Sequence, residues 1–157
     1  MNLFRHVYHS RSNLESSQKP LAAEIAAILA VSASNNRATG VTGGLIYDPY
    51  WFIQVLEGEK KAVDETYQRL AADKRHHHLV VVKASVVESR KFPHWWMAAE
   101  NWREAQGLFL RFEDGFDPRT LARDALLDLV EAIVHHRSQP QDRRTTAWTT
   151  ANAAKAG

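Results

Sequence analysis

No cysteine occurs in the 157 residues, which excludes a disulfide framework and any thiolate nucleophile or metal ligand. No apolar run approaches the roughly 20 residues that a membrane span needs. The opening Met1-Asn2-Leu3-Phe4-Arg5 is too short in apolar residues for a secretory signal. The expected compartment is therefore the cytoplasm, with no membrane partner. A surplus of one charge is also lacking: 20 basic residues face 18 acidic ones, a formal net charge of +2, and the two signs are mixed along the chain. Without a basic stripe, nucleic acid is not an expected partner. What is present is an ordinary globular balance, 45% hydrophobic and 24% charged, in a length that suits one domain with a real core.

Alternation over Asn2–Tyr8 predicts a strand with Leu3, Arg5 and Val7 on one face and Phe4, His6 and Tyr8 on the other. The polar stretch His9–Lys19 reads as a loop, and Pro20 suits the first turn of a helix. Leu21, Ile25, Ile28, Ser32 and Asn35 form one stripe of that helix, which Gly40 ends. Val41–Tyr47 and Trp51–Leu56 predict a hairpin around Asp48-Pro49-Tyr50, with Gly58 breaking the second strand. Lys60–Ala72 reads as a helix buried through Val63, Tyr67 and Leu70. Leu79–Val87 reads as a strand, and Trp95–Trp102 as a last one after Pro93. The order β-α-β-β-α-β plus a fifth strand predicts an α+β, ferredoxin-like sheet with both helices on one face. Beyond a connector at 107–115, Asp117 and Pro118 can open a further helix, whose stripe Leu126, Leu129, Val130 and Ile133 must bury on the open sheet face or on another subunit. The tail from Ser138 has the composition of a disordered segment.

Several polar side chains fall where this pattern puts the interior. Gln54 shares a strand face with Phe52 and Leu56, and an unpartnered buried amide costs about 1–3 kcal/mol. The first helix turns polar at its C-terminal end through Ser32, Asn35 and Asn36. Thr66, Arg69 and Asp73 run beside the stripe of the second helix, and Tyr8 ends the first strand. Each has a plain alternative: a backbone hydrogen bond for Gln54, a cap for the asparagines, a solvated i,i+4 ion pair for Arg69 and Asp73, a satisfied core hydroxyl for Tyr8. Together they surround the gap between two helices, where a flat heteroaromatic ligand with carbonyl and NH edges would satisfy them. The run His76-His77-His78 suggests a metal tract. Three consecutive residues cannot all face one ion, however, and no metal site is expected. His135-His136 reads as a partner for a helix dipole.

Five linked motifs make the chain resemble the BLUF family, sensors of blue light using FAD, of the short stand-alone type. Tyr8-His9-Ser10 is similar to the family's Tyr-x-Ser. Ser32 with Asn35-Asn36 precedes Gly40-Val41-Thr42-Gly43. Phe52-Ile53-Gln54-Val55-Leu56-Glu57-Gly58, Asp73-Lys74-Arg75-His76 and Arg90-Lys91-Phe92-Pro93-His94-Trp95-Trp96-Met97 follow in order. Gly44 and the pair Tyr50-Trp51 depart from the pattern. The resemblance implies a non-covalently bound FAD, with FMN or riboflavin as other occupants, held by Tyr8, Ile25, Ser32, Asn35, Asn36, Gln54, Arg69, Asp73, Arg75 and His76. It implies that Tyr8 gives an electron and a proton toward the excited flavin, that Gln54 lies between them and then rotates or tautomerises, and that Trp95 and Met97, on one face of the last strand, pass the change outward. Residues 1–103 would be the flavin domain, 104–137 a C-terminal helical extension that carries output or self-association, and 138–157 the tail. Such a module is a receptor and not an enzyme; it signals to an unidentified protein partner and forms homo-oligomers. The competing readings are a small flavoprotein oxidoreductase or hydrolase, for which His6 and Glu57 lack a recognisable catalytic partner, and a ligand-free ferredoxin-like interaction module.

Overall fold

The computed structural model describes residues 2–101 and 117–138. The connector and the tail after Ser138 lie outside the described residues, as does Trp102. Strand β1 runs from Leu3 to Ser12, helix α1 from Leu21 to Thr39, β2 from Thr42 to Tyr47, β3 from Trp51 to Glu59, helix α2 from Lys60 to Ala71, β4 from His76 to Val87, β5 from Ala98 to Asn101 and helix α3 from Arg123 to Ser138. The sheet order is β4-β1-β3-β2-β5, with β5 parallel to β2 and the other neighbours antiparallel. This is the expected ferredoxin-like plan with an added strand. Gly40 ends α1 in the left-handed conformation, φ 69°, with its N–H on the Asn36 carbonyl.

Some boundaries differ from expectation. β1 continues four residues past Tyr8, because β3 supplies a partner for each residue up to Arg11. Gly58 does not break β3; it pairs with Phe4 and lies close to Gly40 and Val41, where a Cβ would meet them at 3.3–3.4 Å. The expected strand from Trp95 starts only at Ala98. Asp117 does cap a turn, accepting from the Arg119 N–H, but Pro118 opens a separate single turn and α3 begins at Arg123.

The two sheet faces hold different cores. On one, α1 and α2 cover Tyr8, Leu45, Phe52 and Leu56 with Ile25 and Val63. On the other, α3 lays Leu126, Leu127, Val130, Ile133 and Val134 against Val7, Ile46, Ile53 and Val55. The stripe of the last helix is thus buried within its own chain. Gly44 explains how closely: a Cβ there would stand 2.8 Å from the Phe92 ring and 3.1 Å from Val130.

Candidate functional site

The polar residues singled out above converge on the helix face of the sheet. A narrow cleft of about 30 Å³ lies between α1 and α2. Ile28, Leu45, Phe52 and Leu70 give it apolar walls, while Tyr8, Gln54, Asp73, Arg75 and His76 line it with polar groups. Strand pairing fixes the base of the cleft. Gln54 stands opposite Tyr8 on β1 and opposite Leu45 on β2, so all three side chains share a face. Tyr8 and Gln54 are almost fully buried.

Tyr8 donates its hydroxyl proton to Gln54 Oε1. Burial, with Tyr67 and Asp73 nearby, raises the Tyr8 phenol far above its ordinary pKa, so the group keeps its proton in the resting protein. The Gln54 amide turns its Nε2 to Met97 Sδ at 3.4 Å, a weak acceptor for a good donor. This amide therefore has capacity for a stronger acceptor on the cleft side. The walls are apolar and the rim carries donors and acceptors, a set whose chemistry suits a heterocycle with apolar faces and carbonyl edges.

Around this base the rim is ordered by local chemistry. His76 Nε2 meets the Leu70 carbonyl at 2.6 Å and Nδ1 meets Ser10 Oγ at 2.8 Å. A carbonyl only accepts, so Nε2 carries the proton and Nδ1 accepts from the serine. Burial lowers the pKa of this imidazole and keeps it neutral. Asp73 forks onto Arg75, Nε to Oδ1 2.9 Å and Nη2 to Oδ2 2.5 Å, and that bonding lowers the aspartate pKa. The expected Arg69–Asp73 pair does not form. Arg69 is exposed and donates to Thr66 Oγ1, because the turn after α2 brings Arg75 to the carboxylate first.

The remaining residues stand behind or beside the cleft. Ile25 packs with Leu14, Leu45 and Phe52. Asn36 is buried and donates from Nδ2 to the Trp96 carbonyl at 2.7 Å. Ser32 is half-buried and Asn35 exposed. Trp95 and Met97 precede β5 and part to opposite faces: Met97 packs with Tyr8 and Leu45, Trp95 with Phe92 and α3. Their placement on one strand face is corrected by this. Leu45, Phe52 and Leu70, the apolar walls, were recognisable as stripe or strand-face positions, but nothing in the sequence separates a ligand wall from ordinary core. His77 and His78 are exposed, and no group of metal-ligating side chains forms among the described residues. His135 bonds the Lys91 carbonyl at 2.9 Å and packs on Trp95 instead of serving its helix end.

The segment that carries Trp95 and Met97 is held from below by the carboxylate of Glu57, whose place in the sequence points to a motif position or a catalytic group and not to this anchoring. Glu57 is fully buried, accepts from Arg5 Nε at 2.6 Å, and takes the Lys91 and Phe92 backbone N–H groups at 3.0 Å each. Arg90 adds bonds to Thr42 Oγ1 and to the Glu57 and Gly40 carbonyls.

Comparison with known proteins agrees with this geometry. The family model described as sensors of blue light using FAD matches residues 3–98. A photoactivated adenylate cyclase beta subunit of Euglena gracilis is 33% identical over 97 residues, 61% of this chain; the chain spans only 11% of that relative's length. Among solved structures, the photo-activated state of BlsA superposes with TM-score 0.73 at 25% identity, over 85% of this chain and 95% of that one. The dark state of BlrB, a BLUF protein, gives 0.63 at 27% identity, over 87% and 93%. Among the described residues no helix is long and apolar enough to cross a membrane.

Proposed function

Since this chain belongs to the BLUF family and is a blue-light sensor that binds a flavin, we propose that Tyr8 and Gln54 are its photoactive pair, that the flavin is FAD seated in the α1–α2 cleft, and that the signal leaves through Met97, Trp95 and α3. The observation that carries this reading is the chain of contacts at the cleft base, Tyr8 to Gln54 to Met97. When bound, the flavin supplies absorption of blue light and an excited state that accepts an electron and a proton. The Tyr8 hydroxyl is too weak an acid to ionise beforehand, so its proton would leave with its electron or after it, and Gln54 Oε1, which accepts the hydroxyl's hydrogen bond, is the first atom along the proton's path. Gln54 then turns or tautomerises, exchanging its donor end for its acceptor end. Met97 Sδ loses its donor, and the close packing around it keeps the two arrangements discrete. Charge returns to Tyr8, so the cycle leaves no net chemical product.

In this reading Asp73, Arg75 and His76 shape the rim, while Asn36, Ser32, Asn35, Ile25 and Arg69 support the ligand from α1 and α2. Residues 1–103 hold the flavin and 104–137 carry output to a protein partner. The chain acts in the cytoplasm as a receptor without catalysis of its own.

An absorption spectrum of the purified full chain before and after blue light tests it. The expected result is a flavin band that shifts slightly to the red and recovers in the dark. Tyr8→Phe should retain flavin and lose the shift. A normal light-induced shift in that variant would remove Tyr8 from the role of donor. Chromatography of the released cofactor distinguishes FAD from FMN and riboflavin.

A further inference from the structure

We infer that the outer edge of β4 is a self-association surface, on which a second copy of this chain pairs its own β4 antiparallel about a two-fold axis. Helix α3 is already occupied. Its apolar stripe lies against the sheet of its own chain, so a contact between copies must use another surface. The strand β4 stands at one edge of the sheet and is 12 residues long, whereas β5 at the other edge has four. An edge strand presents a row of backbone donors and acceptors to any second strand. Proteins that avoid such pairing place charges or proline there. From Leu79 to Val87 this edge carries a single charge, Lys83, and it is engaged by Asp124 of α3 at 2.5 Å. Half of the six large apolar side chains standing exposed among the described residues belong to this strand: Val80 at 48%, Val81 at 40% and Val86 at 62%.

The sequence of the edge is self-complementary in a way that selects a second copy. Val81 stands opposite Tyr8 and Val86 opposite Phe4, both on the helix face; Val80 stands opposite His9 and Val87 opposite Leu3, both on the α3 face. An antiparallel pairing that sets Val81 against Val86 of the second copy also sets Val80 against its Val87. Both faces then match valine with valine at once. Exposed Glu88 falls opposite Leu79 of the other copy and diagonal to its exposed His78, and no charge faces a like charge where the two copies pair. The register irregularity between Val81 and Lys83 divides the contact into two symmetry-related ladders, 79–81 of one copy against 86–88 of the other. The left-handed backbone at His78, φ 51°, turns the strand and ends each ladder. Cross-strand β-branched pairs of this kind are the ordinary unit of sheet stabilisation, and two-fold symmetry applies each of them twice.

The full chain, with and without flavin, is examined by sedimentation at tens of micromolar. The expected mass is that of a dimer in both states, because the surface is independent of the cleft and of the photochemical reading. Val86→Lys places a charge at both ends of the contact in a side chain that is exposed in the monomer. It should keep the fold and raise the dissociation constant by about 100-fold or more. Val81→Cys with Val86→Cys, in a chain that has no other cysteine, should oxidise to a covalent dimer whose mapped bonds join position 81 to position 86. A wild-type monomer, or an assembly that Val86→Lys leaves intact, overturns the proposal. So does a monomer that dimerises only after truncation beyond Ser138, an outcome that would assign the edge to the chain's own C-terminal segment. Cross-links joining 81 to 81 overturn the register and with it the argument from self-complementarity.

Discussion

The two faces of the central sheet are built from the same strands and solve opposite problems. On the α3 face, Val7, Ile46, Ile53 and Val55 meet Leu126, Val130 and Val134, and Glu57, a fully buried carboxylate, has three donors within 3.0 Å. Each of its oxygens is committed, Oε1 to Arg5 and Lys91 and Oε2 to Phe92. On the helix face, Gln54 has a phenol at one end and only a thioether at the other. Its amide could be turned without opening the core. A switch needs both kinds of surface: one place where hydrogen bonding is close to degenerate, and a rigid body that converts a local change into displacement. The segment from Lys91 to Met97 joins them, since Phe92 and Trp95 lie beneath α3 while Met97 reaches across to Gln54.

The largest effect should come from attacking the rigid face. Glu57→Ala leaves Arg5 buried without its partner and two backbone N–H groups unmatched, a loss of about 3–5 kcal/mol. Phe92→Ala empties a fully buried ring site between β2 and α3 and should cost about 3–5 kcal/mol. Denaturant unfolding of the flavin-free chain measures both. If either variant unfolded like the wild type, the α3 face would not be the over-determined one. Asn36→Ala strikes the other side. It removes a donor to the Trp96 carbonyl, and we expect a loss of about 1–2 kcal/mol, seen as roughly tenfold weaker flavin retention on dialysis. The midpoint of unfolding without flavin should move less than for Phe92→Ala. A reversed ranking would break the contrast between the faces.

The sequence made the order of elements and the cleft base legible for a simple reason. Period-two alternation assigns Tyr8 and Gln54 to faces before any contact is known, and the two meet because β1 and β3 pair in register. It failed where local pattern competes with tertiary bonding. Trp95 and Met97 are two apart and read as neighbours on a strand, yet the backbone from Arg90 to Trp96 is claimed by Glu57, Gly43 and Asn36 and never becomes a strand before Ala98. Arg69 and Asp73 have helical spacing, but Asp73 lies beyond the end of α2 and turns to Arg75. Gly44 and Trp51 depart from the family's pattern, and their expected effect is on the hairpin and not on the chemistry. The first admits Phe92 and Val130 close to β2; the second packs on the α3 face with Arg11 over its ring at 3.9 Å. Nothing within ten residues of either position signals that role.

The smallest expected effect is a pH slope, and it can separate the two faces without any loss of core. Burial lowers the pKa of His6, His9 and His76. His6 and His9 each leave Nδ1 buried with no partner. An imidazole whose folded pKa lies below its ordinary value of 6.5 is protonated more readily in the unfolded chain. Stability is therefore complete above about pH 6.5 and declines as pH falls from there through the lowered folded values. Melting temperature between pH 8 and pH 5 should fall on that account, and His76→Gln and His9→Gln should each flatten the slope, by on the order of a few degrees. His76 lines the cleft and His9 packs against Trp51 on the opposite face. A flavin seated in the cleft would exclude water from the first and leave the second untouched, so adding flavin should change the contribution of His76 and not that of His9. Equal responses of the two variants to flavin would mean that the ligand tightens the whole sheet, and that the division between an adaptable face and a fixed one does not hold.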